Sequence, residues 1–214
     1  KQIDFRYVPL HPTPEAVRAV RGFDINGHGT HVTSIIAGKN VGIAPDVDLM
    51  VASVIESETV KTSMERVIIA LDWMLSQFQR EEYLDKPTII NLSLGFRPEW
   101  ISATQLHSVV HGVQLILETL VVDFDVLPVA AIGNDGAGIV RAPGYFPECL
   151  SVGAVDASLQ PAWFSGSGLS PLTQQPEPDI AGYGVDVLAA LERNAAGRSV
   201  YALKSGTSMA APYV

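Results

Sequence analysis

VLPVAAIGNDG, residues 126–136, is a run of apolar residues that ends abruptly on a small polar turn. Successive rather than alternate positions are apolar, which describes a strand covered on both faces. Such strands belong to sheets whose crossovers are helices, and the flanking sequence supplies them. Upstream, Ser102 with Gln105 forms a capping pattern ahead of Leu106, Val109, Val110, Val113, Leu117 and Leu120, one apolar face at helical spacing. Before that comes a second apolar strand, TIINLSL (88–94). It is preceded by a helix with Thr62 and Glu65 as a capping box and Met64, Val67, Ile68, Leu71, Leu75 and Phe78 on one face. DLMVASVI (48–55) is the strand before that helix, and 150–155 and 186–190 are two further strand candidates. This alternation predicts an α/β fold with a mainly parallel central sheet between two helical layers. Ligands in such sheets bind beyond the carboxyl ends of the strands. SLG (93–95) and GNDG (133–136) each follow a strand directly and so fall in that place.

Composition narrows the function. The 214 residues are 47% hydrophobic and 17% charged, enough apolar material for one substantial core. A formal charge of −9, with 14 basic residues that form no cluster, argues against nucleic acid as a partner. No apolar run reaches the roughly 18 residues of a membrane span, since Glu118, Asp123 and Asp125 interrupt the greasiest segment. The first 18 residues carry no signal-peptide pattern. Cys149 is the lone cysteine, so no internal disulfide forms; its apolar neighbours make it a small buried hydrophobe rather than a nucleophile. The proline-rich pieces at 9–14 and 171–178 read as an entry segment and a surface loop.

Chemistry concentrates in three short stretches. In SGTSMAAP (205–212), Ser208 opens a run of helix formers. By itself such a serine is a cap. As a nucleophile it gains from the helix N-terminus and from its own N–H, but it needs a base and further oxyanion donors. GFDINGHGTHVTSIIAG (22–38) supplies His28 and His31, three residues apart. That spacing permits shared metal ligation, but no third ligand and no His-Glu-x-x-His frame accompany it. His107 and His111, a helical turn apart, read as a solvated face. In GNDG, Asn134 is either a turn residue or an amide donor.

HGTHV (28–32), GNDG (133–136) and GTSMAAP (206–212) stand in the order of the three signature segments of the subtilisin-like serine peptidases, and the chain resembles that family. VGIAP (41–45), INLSLG (90–95), YFPECLSVGAVD (145–156) and FSGSG (164–168) extend the likeness over 24–214. The resemblance implies an α/β three-layer sandwich of subtilisin type, with residues 1–214 forming a partial peptidase domain truncated at both ends. It implies His28 as general base, Ser208 as nucleophile and Asn134 as oxyanion donor. Ser93, Leu94 and Gly95 would pair with an extended polypeptide substrate, while Ala131, Ile132 and Gly133 would wall the primary specificity pocket, with broad specificity as the consequence. Asp135 at the pocket mouth and Arg141 near its floor pull in opposite directions, leaving the side-chain preference open. Ala142–Pro143 resembles a cis-proline site.

The pattern breaks at the catalytic acid. The family's acid ends an apolar strand in Asp-Ser-Gly or Asp-Thr-Gly, and no such element occurs here. Asp24 resembles a cleft-bordering position, and Asp4 lacks the preceding strand and the glycine. Two readings follow: the acid lies outside this chain, or it is lost and the chain is a pseudopeptidase that binds peptides without cutting. No cofactor is required by the resemblance. The usual calcium loop between Gly38 and Gly42 holds only Lys39, Asn40 and Val41, without a carboxylate, so calcium is left to other sites. Tyr213 stands where a histidine commonly follows the signature proline. The family's habit implies a secreted or cell-envelope monomer, with no nucleic-acid or membrane partner.

Overall fold

The computed structural model describes residues 2–9, 17–20, 23–55, 62–83, 86–97, 103–193 and 196–214. In chain order these form β1 (Ile3–Tyr7), β2 (Arg18–Ala19), α1 (His28–Ala37), β3 (Leu49–Ser53), α2 (Met64–Phe78), β4 (Thr88–Leu92), α3 (Ala103–Phe124) and β5 (Val126–Ala131). Then come β6 (Leu150–Val155), β7 (Gly168–Leu169), β8 (Pro176–Glu177), β9 (Ile180–Tyr183), β10 (Val187–Arg193), β11 (Ser199–Lys204) and α4 (Thr207–Ala210), closed by a 3-10 turn at Ala211–Tyr213.

The central sheet is parallel, in the order β4-β5-β6-β9. The composition of β5 shows why it is covered twice. Val126, Ala130 and Ile132 face a core shared with α2 and α3, whereas Val129 and Ala131 face a second cluster with Ala210 and Ala211 beside α4. Neighbouring β5 residues thus feed opposite layers, as a two-period strand requires. Val113, Leu117 and Leu120 of α3 and Met64, Val67, Leu71 and Phe78 of α2 are buried in the first core, matching the helical faces read from sequence. On the other side, Val32 and Ile35 of α1 pack with Val187, Ala189 and Met209.

A second sheet, β2-β1-β3, pairs β1 with β3 in parallel, Ile3 opposite Leu49 through Tyr7 opposite Ser53. Among the described residues neither β3 nor β4 is paired on its other edge. Both edges line one groove of about 1520 Å³, together with His28, Ser93 and the α2 residues Val67, Leu71 and Met74.

Several local expectations are corrected. Thr62 does not cap α2. Its hydroxyl donates to the Val54 carbonyl, and Ser63 is the cap, accepting from Arg66 N at 3.4 Å. The candidate strand at 186–190 forms, but it pairs antiparallel with β11 outside the central sheet, because Val187 and Ala189 are needed against α1. Asp4 lies within a strand, where both its oxygens take hydrogen bonds from Arg6, at 2.9 and 3.0 Å. Ser102 and most of the first proline-rich segment fall outside the described residues; so does the side chain of His107, while His111 is exposed. Cys149 is buried, which pushes its thiol far above the usual range. The Ala142–Pro143 bond is cis.

Candidate active site

Ser208 is the second residue of α4 and stands against the end of β4. Its Oγ donates to the Ser93 carbonyl at 3.2 Å, and the Ser93 hydroxyl returns a hydrogen bond to the Ser208 carbonyl at 2.8 Å. Asn91 Nδ2 donates to that same Ser93 hydroxyl at 2.9 Å, so the exit of β4 is laced to the serine turn.

Asn134 reaches the turn from the exit of β5. Its Oδ1 accepts from Thr207 N at 2.8 Å and from Thr207 Oγ1 at 3.0 Å, while Gly133 N donates to Thr207 Oγ1 at 3.2 Å. A backbone N–H can only donate, so the amide oxygen must face Thr207 and the amide nitrogen is turned the other way. That nitrogen would stand 3.4 Å from a Cβ at position 206, and Gly206 also has φ +156°. The contact is an ordinary one, so it is the backbone angle that favours glycine there.

His28 opens α1 and lines the same groove as Ser93 and Leu94. Its ring is held below the ordinary histidine range, first by burial, then by the Lys204 ammonium and last by His31, with Asp24 acting in the other direction. Lys204 Nζ donates to the Asn26 carbonyl at 3.2 Å, which fixes the cation beside the histidine turn. Asp24 is the anchor of that turn. Its carboxylate accepts from the N–H groups of Gly27 at 3.0 Å and Thr30 at 2.6 Å. Burial alone would raise its pKa, but hydrogen bonds from Thr30, Gly27 and Asn26 outweigh it and keep the group ionised below its usual value. Among the described residues no carboxylate hydrogen-bonds to the His28 ring, and the Ser208 hydroxyl is given to Ser93 rather than to His28.

His31 is fully buried, and its Nε2 meets the Ala202 carbonyl at 3.1 Å, tying α1 to β11. Among the described residues no three His, Cys, Asp or Glu side chains gather as metal ligands. Tyr213 stacks edge-on against Tyr183, with ring centroids 6.0 Å apart.

Of the residues expected to bind substrate, Gly95 and Gly133 both lie against the stem of Arg141: a Cβ at Gly95 would stand 3.0 Å from its Cβ and Cδ, and one at Gly133 2.8 Å from its Cγ. Arg141 Nε and the Asp135 carboxylate are 2.5 Å apart, and Arg97 joins the same carboxylate. Arg97 and Lys204 were missed in the sequence. Neither carries a local signal, since Arg97 meets Asp135 and Lys204 meets the Asn26 carbonyl only through folding.

A model of the subtilase family matches residues 18–214. The chain is 48% identical over 217 residues to the subtilisin-like protease PopC of Myxococcus xanthus, covering 99% of this chain and 45% of that protein. It is 33% identical to subtilisin Savinase of Lederbergia lenta, covering 97% and 64%. Among solved structures, a cold-adapted subtilisin-like serine proteinase superposes with a TM-score of 0.70 at 26% identity, and the prenylagaramide maturation protease PagA with 0.67 at 28%. Each superposition covers 99% of this chain and 64% of the other. The chain thus spans between 45% and 64% of the length of these relatives.

Proposed function

Since the chain belongs to the subtilase family, we propose that it is the core of a serine endopeptidase acting through an acyl-enzyme on Ser208. His28 takes the Ser208 proton as Oγ attacks the scissile carbonyl carbon. The oxyanion is held by the Asn134 amide nitrogen and the Ser208 N–H. Collapse returns the proton from His28 to the departing amine, and water then repeats the sequence on the ester. An extended substrate runs along Ser93, Leu94 and Gly95, with its side chain directed toward Ala131, Ile132 and Gly133. The observation that supports this reading best is the orientation of Asn134: its oxygen is consumed by Thr207, the residue before Ser208, so both amide protons are turned away from Thr207.

The acid that orients His28 is, in this reading, carried by a further strand. The groove between β3 and β4 has two edges unpaired among the described residues, apolar walls at Met50, Val54, Ile90 and Leu92, and His28 on its margin. A strand there would join the two sheets, and a carboxylate at its end would come to the histidine. Neither Asp4 nor Asp24 serves, because Arg6 and the α1 turn already hold them.

A pseudopeptidase that binds peptides without cutting is the second reading, favoured by the Ser208 hydroxyl being spent on Ser93. A fluorophosphonate probe separates the two. Labelling at Ser208 in the full-length protein, abolished in Ser208→Ala, supports the peptidase; absence of labelling in a protein that still binds peptides supports the binding module.

A further inference from the structure

Beyond β6 the chain turns and comes back towards the loop that carries Asn134. Asp156 N donates to the Gln160 carbonyl at 2.9 Å, Val155 bridges Pro161 antiparallel, and Ala162 N donates to the Ala154 carbonyl at 2.8 Å. The returning segment then joins the exit of β5. Gly136 N donates to the Phe164 carbonyl at 2.9 Å and Gly166 N to the Gly133 carbonyl at 2.8 Å, two bonds that bracket Asn134 and Asp135. Phe164 is buried with Val129, Ala131, Ala210 and Ala211, which pins the segment against β5 and the serine turn.

Trp163, one residue earlier, is 90% exposed, more than any other large apolar side chain among the described residues. Its ring meets Phe164 edge-on, with centroids 5.7 Å apart at 83°, and leaves its faces to solvent. A single exposed leucine or valine is ordinary on a protein surface. An indole has far more area to gain by being covered, and tryptophan is accordingly concentrated among the residues that dominate interfaces. The backbone beneath it is already fixed by Ala162 and Phe164, so a partner that covers the ring orders little else.

Sheet order sets which part of a substrate comes there. Ser93, Asn134 and Trp163 stand past the ends of β4, β5 and β6, neighbours in that order across the sheet. Resting on the peptidase reading above, we propose that Trp163 is a specificity-determining contact for the part of a polypeptide substrate that follows the scissile bond, where it favours apolar side chains. A peptide with its acyl part along Ser93, Leu94 and Gly95 and its scissile carbonyl at Asn134 continues towards the β6 side. Adjacent strands are about 4.8 Å apart and extended chain advances about 3.3 Å per residue, so the indole serves the first three residues after the cut.

The test uses the full-length protein and two substrates with one acyl part: a 4-nitroanilide that ends at the scissile bond, and a quenched fluorescent peptide that runs three residues beyond it. Trp163→Ala should lower kcat/KM for the extended peptide by about fivefold or more relative to the anilide, the scale of losing one interface tryptophan, and Trp163→Phe should restore part of it. An unchanged ratio of the two substrates overturns the proposal, since a merely structural role would lower both alike. A second measurement needs no variant of Trp163: extended peptides with Leu or Phe after the cut should exceed those with Gly or Ser, and equal rates also overturn the proposal. Affinity of the extended peptide for Ser208→Ala, with and without Trp163→Ala, reads the contact independently of turnover. Affinity that depends on Trp163 in a protein whose Ser208 takes no fluorophosphonate sinks the peptidase reading and keeps the contact; labelling with no dependence on Trp163 does the reverse.

Discussion

Lys204 sits near His28 without being part of any motif, and its ammonium adds to burial in disfavouring the imidazolium. In the proposed mechanism the base must be neutral to accept the serine proton, so activity is expected to rise with pH through the His28 pKa. Lys204→Met removes one of the depressing influences and, in the peptidase reading, should move the acidic limb of the kcat/KM profile to higher pH; an unmoved limb would show that the Lys204 charge does not reach the ring. The same shift has a stability consequence. The unfolded chain takes up the proton near the ordinary value of 6.5, and the folded chain only at lower pH. Stability therefore falls as pH drops below 6.5 and levels off below the folded pKa, which acid titration of the melting temperature would detect. Asn134 makes a second test at this scale. Asn134→Leu should lower kcat by on the order of 10²–10³ with little change in KM, a size known for loss of such a donor in subtilisin itself and carried over from there. His28, Ser208 and Asn134 could be nominated from the sequence because their neighbours form fixed short motifs. Arg97 and Lys204 were not, since their relevance comes from strands that meet only in the folded chain.

At the scale of elements, α2 and α3 were readable from apolar spacing because each must bury one face against the sheet. Leu117, fully buried in α3, is central to that packing. Leu117→Ala should destabilise the protein by about 2–5 kcal/mol in denaturant unfolding, the range for a large-to-small change in a core that relaxes only partly. The α2 start was misplaced by one residue because Thr62 and Ser63 are equally good caps, and only the Val54 carbonyl, brought near by folding, draws Thr62 away. Arg66 on α2 breaks the apolar pattern and is nonetheless fully buried, donating through Nε to the Val8 carbonyl at 2.9 Å beyond the end of β1. Arg66→Ala should cost roughly 1.5–3 kcal/mol, the scale of a hydrogen bond to a charged group, and should loosen β1 first in hydrogen exchange.

For the molecule as a whole, the separation of β2-β1-β3 from β4-β5-β6-β9 is the main feature, since the sheets face each other across a groove that ends near His28. If a carboxylate-bearing strand fills it, residues 1–214 alone should turn over peptides about 10⁴-fold more slowly than the full-length protein, a size borrowed from removal of the aspartate in subtilisin. Comparable rates for the two would place the orienting group within these residues and end the strand proposal. The sequence by itself determined the α/β class and the helical faces, and it nominated the serine, histidine and asparagine as candidates, because apolar periodicity and local motifs are properties of consecutive residues. Only the tertiary structure decided which edges stay open, that β10 leaves the central sheet, and that Asp135 is enclosed by Arg97 and Arg141. Those outcomes depend on pairing and burial between residues far apart in the chain, where no local pattern records which partner wins.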